Sequence, residues 1–188
     1  AEIGNNHEGS YALAEELIGK AVEAGAGAVK FQTFLTEQYI SPTQKDRYER
    51  LKKFQLSFEQ FERLAAYSHE VGILFISTAM DLESARFLGP IVDAMKIASA
   101  DNNFFTLIEE IAKAGKPTIL STGLAGREEI HLATSFIQNT WYKTGVEQEL
   151  AILHCISSYP APLNQVNLSA IKTLINEFNC TVGYSDHV

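Results

Sequence analysis

Two lysines lie inside short apolar stretches of the sequence, where a charged side chain is unexpected. Lys30 stands in the stretch AVKFQ and Lys96 in the stretch AMKIA. Burial of an ammonium group without a compensating partner is costly, so each lysine should face an anion. We predict that the two lysines hold one anionic ligand between them. The alternative is that each pairs with a carboxylate of the chain, Glu2 or Asp101, and binds nothing.

Hydroxyl groups at the ends of neighbouring apolar stretches support the prediction of an anion site. The residues that carry these hydroxyls are Ser77, Thr78, Ser99 and Ser121. Ammonium and hydroxyl donors together are suited to phosphate, since the ammonium supplies charge and the hydroxyl supplies direction. The natural ligand is therefore a phosphate or a phosphorylated carboxylate.

Three of the five histidines also follow predicted strands. His7, His154 and His187 could converge on one mouth, where neutral imidazoles bind a metal and leave positions open for a substrate oxygen. For a single histidine, a hydrogen-bonded wall residue is the commoner role. His69 and His131 lie in predicted helices beside charged residues, and we predict that both are on the surface.

The elements that must position these residues alternate along the chain. Short β-branched or apolar runs are each followed by a helical pattern of roughly 10 to 15 residues. The predicted strands are 1–4, 28–32, 73–77, 94–98, 118–121, 150–154 and 181–185, and the predicted helices are 11–24, 58–71, 82–88, 105–114, 127–140 and 168–178. Ser57 and Gln60 have the spacing of a capping box, and Gly25, Gly72 and Gly115 occur where helices should stop.

Alternating strands and helices imply parallel strands with right-handed crossovers, in a doubly wound sheet or a barrel. No GxGxxG follows the first strand, and polar residues crowd nearly every strand end rather than one switch point. We therefore predict a TIM (β/α)₈ barrel, with residues 1–188 forming a single domain of about seven βα units. Because such a barrel needs ~250 residues, we expect the natural protein to continue through an eighth unit.

Side chains at the carboxyl ends of barrel strands face the active site. The polar residues that this rule adds to the lysines and hydroxyls above are Glu2, Asn6, Gln32, Thr33, Asp101, Ser157, Tyr159, Ser185 and His187. We predict that they line one site for a polar, anionic substrate.

The composition argues against several classes of protein. A formal net charge of −8 is unsuited to a broad nucleic-acid surface, which needs clustered lysine and arginine. The apolar runs are too short for a membrane span, and the first residues read as a strand rather than a signal peptide. Cys155 and Cys180 lack a CxxC spacing, so no zinc ribbon or disulfide framework is indicated. We predict a cytoplasmic protein.

Several segments together resemble the bacterial sialic acid synthase family. In chain order they are AEIGNNHEG at 1–9, VKFQT at 29–33, IST at 76–78, KIAS at 96–99, ILSTG at 119–123, LHC at 153–155, YP at 159–160 and GYSDH at 183–187. Each segment is a weak signal alone. Their common order across essentially the whole chain is a strong one.

The resemblance implies condensation of phosphoenolpyruvate with N-acetylmannosamine or a related amino-sugar aldehyde, with release of phosphate. In the family's pattern, phosphoenolpyruvate is held by the positions matching Lys30, Ser77, Thr78, Lys96, Ser99, Ser121, Ser157 and Ser185. The positions matching Glu2, Gln32, Asp101 and Tyr159 lie near the sugar or the reacting carbons, and we expect Glu2, Lys30 and Lys96 to be catalytic. The resemblance also implies a divalent metal, Mn²⁺ or Mg²⁺, held by His187 and a second histidine on the next strand. We expect a homodimer.

Residues 1–188 lack that second histidine, and the chain departs from the family's pattern in two smaller ways. Asp101 stands where a glutamate is common, and residues 79–81 read AMD where a Pro-Phe pair is common. Three alternatives stay open. They are another phosphoenolpyruvate-dependent aldol synthase of the Kdo-8-phosphate type, a Schiff-base aldolase with Lys96 as nucleophile, and a non-catalytic sugar-acid binding barrel.

Overall fold

The computed structural model describes all 188 residues and shows an α/β protein. The strands are β1 (Glu2–Gly4), β2 (Ala28–Thr33), β3 (Leu74–Ala79), β4 (Ala94–Ile97), β5 (Thr118–Ser121), β6 (Leu150–His154) and β7 (Thr181–Tyr184). The helices are α1 (Tyr11–Glu23), α2 (Thr36–Tyr39), α3 (Lys45–Phe54), α4 (Phe58–Glu70), α5 (Leu82–Leu88), α6 (Phe105–Lys113), α7 (Arg127–Thr144) and α8 (Ala170–Glu177). The chain divides into two compact units, unit 1 (Ala1–Met95) and unit 2 (Lys96–Val188).

The strands of unit 1 have one face covered by a helix. β1 pairs with β2, and β2 pairs with β3, both in parallel. Gln32 lies opposite Thr78, so Lys30, Gln32 and Thr78 share one face of the sheet. The other face carries Phe31, which packs edge-on against Phe61 of α4 with ring centroids 6.2 Å apart. α4 therefore covers the Phe31 face and leaves the Lys30 face to other partners.

The strands of unit 2 are also parallel, with β5 paired to β6 and β6 to β7. Ser121 lies opposite Leu153, the residue before His154. Because side chains alternate along a strand, Ser121 and His154 point to opposite faces of this sheet. Among the helices, the buried indole of Trp141 in α7 donates to the carbonyl oxygen of Ala112 in α6 at 3.1 Å. This contact ties α6 to α7.

Local sequence signals placed several helix ends correctly. The predicted capping box of α4 is confirmed, since Ser57 Oγ accepts from the Gln60 N–H at 3.2 Å and the Gln60 side chain accepts from the Ser57 N–H at 2.8 Å. The predicted glycine stops are confirmed as well. Gly25, Gly72 and Gly115 have positive φ angles of 76°, 78° and 66°, a region that glycine adopts without steric cost.

Helices α2 and α3, which follow β2, were not predicted. α3 is strongly charged and buries only Leu51, so its sequence lacks an apolar stripe. A cluster of Phe34, Ile40 and Leu51 holds this segment together. The Gln55 side-chain oxygen accepts from the N–H and the hydroxyl of Thr36 at 3.0 and 2.7 Å. Tertiary contacts therefore order a segment whose local pattern predicts little.

The predicted α/β class and the seven strands are confirmed, with each strand end within two residues of its prediction. α7 is longer than predicted and stops at Gly145, which has a φ of 69°. None of the helices combines the length and apolar character that crossing a membrane requires. Closure of a barrel by an eighth βα unit stays a prediction.

Candidate functional site

Lys30, the predicted cation of unit 1, forms an ion pair with Glu2 of β1. The two residues lie opposite each other in the parallel register. The Lys30 side chain is 22% exposed and that of Glu2 is 52% exposed, so water reaches the pair. The carboxylate pairing that the sequence left open is thus present in unit 1. An anionic ligand at Lys30 must compete with Glu2.

Gln32 lies two residues after Lys30 on the same face of β2. Its side-chain oxygen accepts from the Asn5 amide at 2.8 Å. The Oδ1 atom of Asn5 is buried without a hydrogen-bond partner in the protein, so it can accept one from a ligand. Thr78, opposite Gln32, is almost fully buried. Asn6, which the sequence nominated for substrate binding, is exposed, and its neighbour Asn5 is the residue that reaches Gln32.

Thr33 and Ser77 lie on the opposite face of the unit 1 sheet from Lys30. Ser77 is opposite Phe31 in the register, and Thr33 follows Phe31 by two residues. Their two hydroxyl oxygens are 2.8 Å apart, and both side chains are buried. This placement separates them from Lys30 and favours a structural role. Substrate binding by either residue stays a prediction.

His7 is fully buried in unit 1 and lies against Phe31, with ring centroids 6.0 Å apart. Its Nδ1 accepts from the Gly9 N–H at 3.1 Å, which places the proton of the neutral ring on Nε2. Burial lowers the pKa of His7 below its usual value, and the Gly4 carbonyl opposes this shift. His7 is therefore a buried wall residue of unit 1 that is hydrogen-bonded at Nδ1, whereas its buried Nε2 has no hydrogen-bond partner in the protein.

In unit 2, Lys96 is 5% exposed and its ammonium has oxygen partners. It donates to Ser121 Oγ at 2.6 Å and to the Ile97 carbonyl at 2.8 Å. Burial raises the pKa of the Asp101 carboxyl, and the charge of Lys96 opposes this shift. The ends of β4 and β5 thus bring a cation, a hydroxyl and a carboxyl together. Such a group can bind an anion.

Ser99 begins the short helical turn Ser99–Asp101 after β4 and is surrounded by polar groups. Its hydroxyl lies 2.9 Å from Cys155 Sγ and accepts from the Gly123 N–H at 3.1 Å. The Gly123 carbonyl accepts from the Asn102 amide at 3.0 Å. A β-carbon at position 123 would collide with the hydroxyls of Ser99 and Ser157 and with the Cys155 thiol. From the sequence, Gly123 was noted only as part of the ILSTG segment. Asn102 and Cys155 were not predicted to belong to this group of contacts.

His187 follows β7, and a backbone carbonyl fixes its ring. Nδ1 donates to the Ile156 carbonyl at 2.6 Å, since a carbonyl can only accept, so Nε2 carries the lone pair of the neutral ring. Nε2 lies 3.1 Å from the Tyr159 hydroxyl and 3.2 Å from Ser185 Oγ, and the Tyr159 ring stacks on the imidazole. Metal-binding histidines are usually supported in this way, so His187 is suited to be one ligand of a divalent metal.

The other predicted partner of His187 in unit 2, His154, is placed differently. It is buried on the face opposite Ser121, and its Nε2 donates to the Val166 carbonyl at 2.8 Å. Strand alternation turns His154 away from the face of Ser121, and its hydrogen bond to Val166 supports the role of a wall residue, the commoner one for a single histidine. No group of three or more histidine, cysteine or acidic side chains comes together to hold a metal. The chain supplies one suitable imidazole, that of His187.

Each unit, taken by itself, has ammonium, hydroxyl and amide groups at the carboxyl ends of parallel strands. In α/β enzymes these strand ends are where substrates bind. The fold and these residues together define an α/β protein with groups that can bind an anion at its strand ends.

The chain belongs to the NeuB family, whose family model matches residues 17–188. It is 46% identical over 188 residues to a protein of uncharacterized function from Methanocaldococcus jannaschii, covering 100% of this chain and 54% of that protein. It is 37% identical over 201 residues to the N,N'-diacetyllegionaminic acid synthase of Legionella pneumophila, covering 100% of this chain and 56% of the synthase.

A solved structure shares the fold. The crystal structure of the N-acetylneuraminic acid (sialic acid) synthetase from Leptospira borgpetersenii, in complex with citrate, matches with a TM-score of 0.92 at 36% identity. The match covers 100% of this chain and 64% of that chain. The resemblance to sialic acid synthases is thereby confirmed. The chain spans a little over half the length of the curated relatives it matches.

Proposed function

We propose that this protein is a nonulosonic acid synthase, which condenses phosphoenolpyruvate with N-acetylmannosamine or a related amino-sugar aldehyde and releases phosphate. The observation that carries the proposal is the buried ammonium of Lys96, which donates to Ser121. A buried cation beside hydroxyl donors favours a phosphorylated ligand. Family membership supports the proposal, because two of the relatives are named as synthases of legionaminic and sialic acid. We also propose that the strands belong to a (β/α)₈ barrel.

The residues of each unit have separate tasks in this reaction. In unit 2, Lys96, Ser99 and Ser121 hold the phosphate and stabilise its charge as it leaves. In unit 1, an anion that pairs with Lys30 replaces the Glu2 carboxylate, which is then free to act in the reaction. The enol carbon of phosphoenolpyruvate bonds to the aldehyde carbon, and the aldehyde oxygen takes a proton. Water, oriented by Glu2, then adds to the cation-like carbon and loses one proton, which balances the proton taken by the aldehyde oxygen. The carbon–oxygen bond to phosphate then breaks, and the new hydroxyl becomes a ketone as its proton leaves with the phosphate.

A divalent metal, Mn²⁺ or Mg²⁺, would polarise the sugar aldehyde when bound. His187 would hold it through Nε2, the ring nitrogen that carries the lone pair. The Tyr159 and Ser185 hydroxyls now contact Nε2, and with a metal bound there they would be available to donate to a substrate. The Ile156 carbonyl keeps the ring oriented throughout.

The test is phosphate release by the full-length protein with phosphoenolpyruvate, Mn²⁺ and a panel of amino-sugar aldehydes. We expect phosphate only when both substrates are present, together with a nonulosonic acid product. The same assay with a phosphorylated pentose as the aldehyde tests the alternative of a Kdo-8-phosphate type synthase. Borohydride treatment with a carbonyl substrate examines the Schiff-base alternative, since only that enzyme would be labelled on Lys96. Absence of phosphate release with every aldehyde would leave a sugar-acid binding protein as the better account.

A further inference from the structure

The Ser99 hydroxyl in unit 2 has two possible donors around it. The Gly123 N–H donates to Ser99 Oγ at 3.1 Å, and Cys155 Sγ lies 2.9 Å from the same oxygen, where either atom can be the donor. A serine hydroxyl has one hydrogen to donate and two lone pairs that accept. When the thiol donates, both lone pairs of Ser99 are filled. The Ser99 hydrogen must then point to a third partner.

The neighbours of Ser99 are held in place. Cys155 is 4% exposed and follows β6, so its thiol has little freedom to turn. Gly123 is buried after β5, and its carbonyl is held by Asn102, which is 9% exposed. A β-carbon at position 123 would collide with Ser99 Oγ and Cys155 Sγ, so this close approach requires glycine. The donors around Ser99 are therefore organised before a ligand arrives.

We propose that Cys155 is a positioning residue that, with the Gly123 N–H, commits the Ser99 hydroxyl to donating to the phosphate of phosphoenolpyruvate; this inference rests on the proposed function. A phosphate oxygen accepts hydrogen bonds, so a hydroxyl that presents a lone pair to it is repelled. The thiol fills that lone pair and leaves only the hydrogen facing the ligand. Cys155 acts through Ser99 and does not itself touch the substrate.

The test compares Cys155→Ala, which removes the donor, with Cys155→Ser, which keeps one. We expect Cys155→Ala to raise the KM for phosphoenolpyruvate by about threefold to tenfold, the effect of one neutral hydrogen bond, with kcat and the KM for the sugar nearly unchanged. Cys155→Ser should restore most of the loss. The matched control is Cys180→Ala, since Cys180 is the other free cysteine and lies outside this group of contacts.

Affinity for phosphoenolpyruvate without sugar, measured by titration calorimetry, gives the deciding comparison. Equal affinity for phosphoenolpyruvate in the wild type and Cys155→Ala would overturn the inference. Affinity that falls equally in the alanine and serine variants would also overturn it, because that result indicates lost packing rather than a lost donor. If the alanine variant does not fold, Cys155→Val replaces it, because valine fills the space without a donor. Failure of the proposed function differs, since the wild type itself would then bind no phosphoenolpyruvate and release no phosphate.

Discussion

Lys30 in unit 1 and Lys96 in unit 2 hold their charges in different surroundings. Lys30 is partly exposed and forms an ion pair with Glu2. Lys96 is buried and donates to the Ser121 hydroxyl and the Ile97 carbonyl. Asp101 interacts with Lys96 by charge, and this interaction opposes the rise that burial causes in the pKa of Asp101.

The difference shows how the same side chain can serve two purposes. An anion at Lys30 must displace the Glu2 carboxylate, so part of its attraction is offset. An anion at Lys96 approaches a cation that is almost fully buried, and electrostatic interactions are stronger in such a low-dielectric environment. We therefore expect unit 2 to dominate the affinity for phosphate, and unit 1 to respond to the ligand by releasing a carboxylate.

The largest effect is expected at His187, which belongs to the same unit as Lys96. His187→Ala should abolish turnover, because it removes an imidazole that is suited to bind a divalent metal. Chelation of the wild type should do the same, and Mn²⁺ or Mg²⁺ should restore it. The measurement is phosphate release with and without added metal.

His154→Ala is the matched control, since this histidine also ends a strand of unit 2. It should keep the metal response and lower the free energy of unfolding by about 1–3 kcal/mol, because a buried hydrogen bond to Val166 is lost. Full activity of the wild type after thorough chelation would contradict the metal site.

The next largest effect is expected when either lysine is replaced, and the two replacements can be compared directly. Lys96→Ala should raise the KM for phosphoenolpyruvate roughly 10- to 150-fold, the equivalent of about 1.5–3 kcal/mol for a charged hydrogen bond. Lys30→Ala should have a smaller effect, because Glu2 already offsets part of its charge. Saturation curves for phosphoenolpyruvate at fixed sugar concentration measure both values.

Lys20→Ala provides the control for loss of a lysine–carboxylate pair, since Lys20 and Glu23 form an exposed ion pair on α1. Lys20→Ala should leave the KM for phosphoenolpyruvate and the KM for the sugar unchanged. If Lys30→Ala raised the KM for phosphoenolpyruvate as much as Lys96→Ala or more, unit 2 would not dominate the affinity for phosphate.

Two buried serines sharpen the comparison further. Ser121→Ala removes a hydroxyl from Lys96 and should raise the KM for phosphoenolpyruvate by about threefold to tenfold. Ser77→Ala removes the partner of Thr33 and should lower the free energy of unfolding by about 1 kcal/mol without changing this KM. Kinetics and urea unfolding separate the outcomes. A raised KM in Ser77→Ala would show that Ser77 binds substrate after all, as the family resemblance implies.

The smallest expected effect is on the pH dependence of stability, which should have opposite signs in the two units. The folded-state pKa of His7 is lowered, so the unfolded state binds more protons, and stability falls as pH drops below the usual value of 6.5. The folded-state pKa of Asp101 is raised, so the folded state binds more protons, and stability falls as pH rises above the usual value of 3.8.

Urea unfolding between about pH 4 and pH 7.5 measures both contributions. His7→Gln should lose less stability than the wild type on acidification, and Asp101→Asn should lose less as the pH rises. Curves for either variant that run parallel to the wild type across this range would mean that the replaced group does not change its proton binding on folding.

Much of the secondary structure could be predicted because its causes are local. β-branched runs ended by glycine or polar residues defined the seven strands, and Ser57 and Gln60 defined the start of α4. The charged helix α3 could not be found in this way, because it is held by the packing of Leu51 against Phe34 and Ile40. Its stabilising contacts are distant in sequence.

The sequence by itself determined the order of strands and helices, the residue types at the strand ends and the resemblance to sialic acid synthases. Only the tertiary structure decided which face of each strand those residues occupy. Alternation shows that Ser77 and Thr78 point in opposite directions, but the packing of Phe31 on Phe61 decides which face is covered by α4. The contact of Ser99 with Cys155 likewise joins residues 56 positions apart, whose meeting depends on the pairing of strands and the close approach at Gly123.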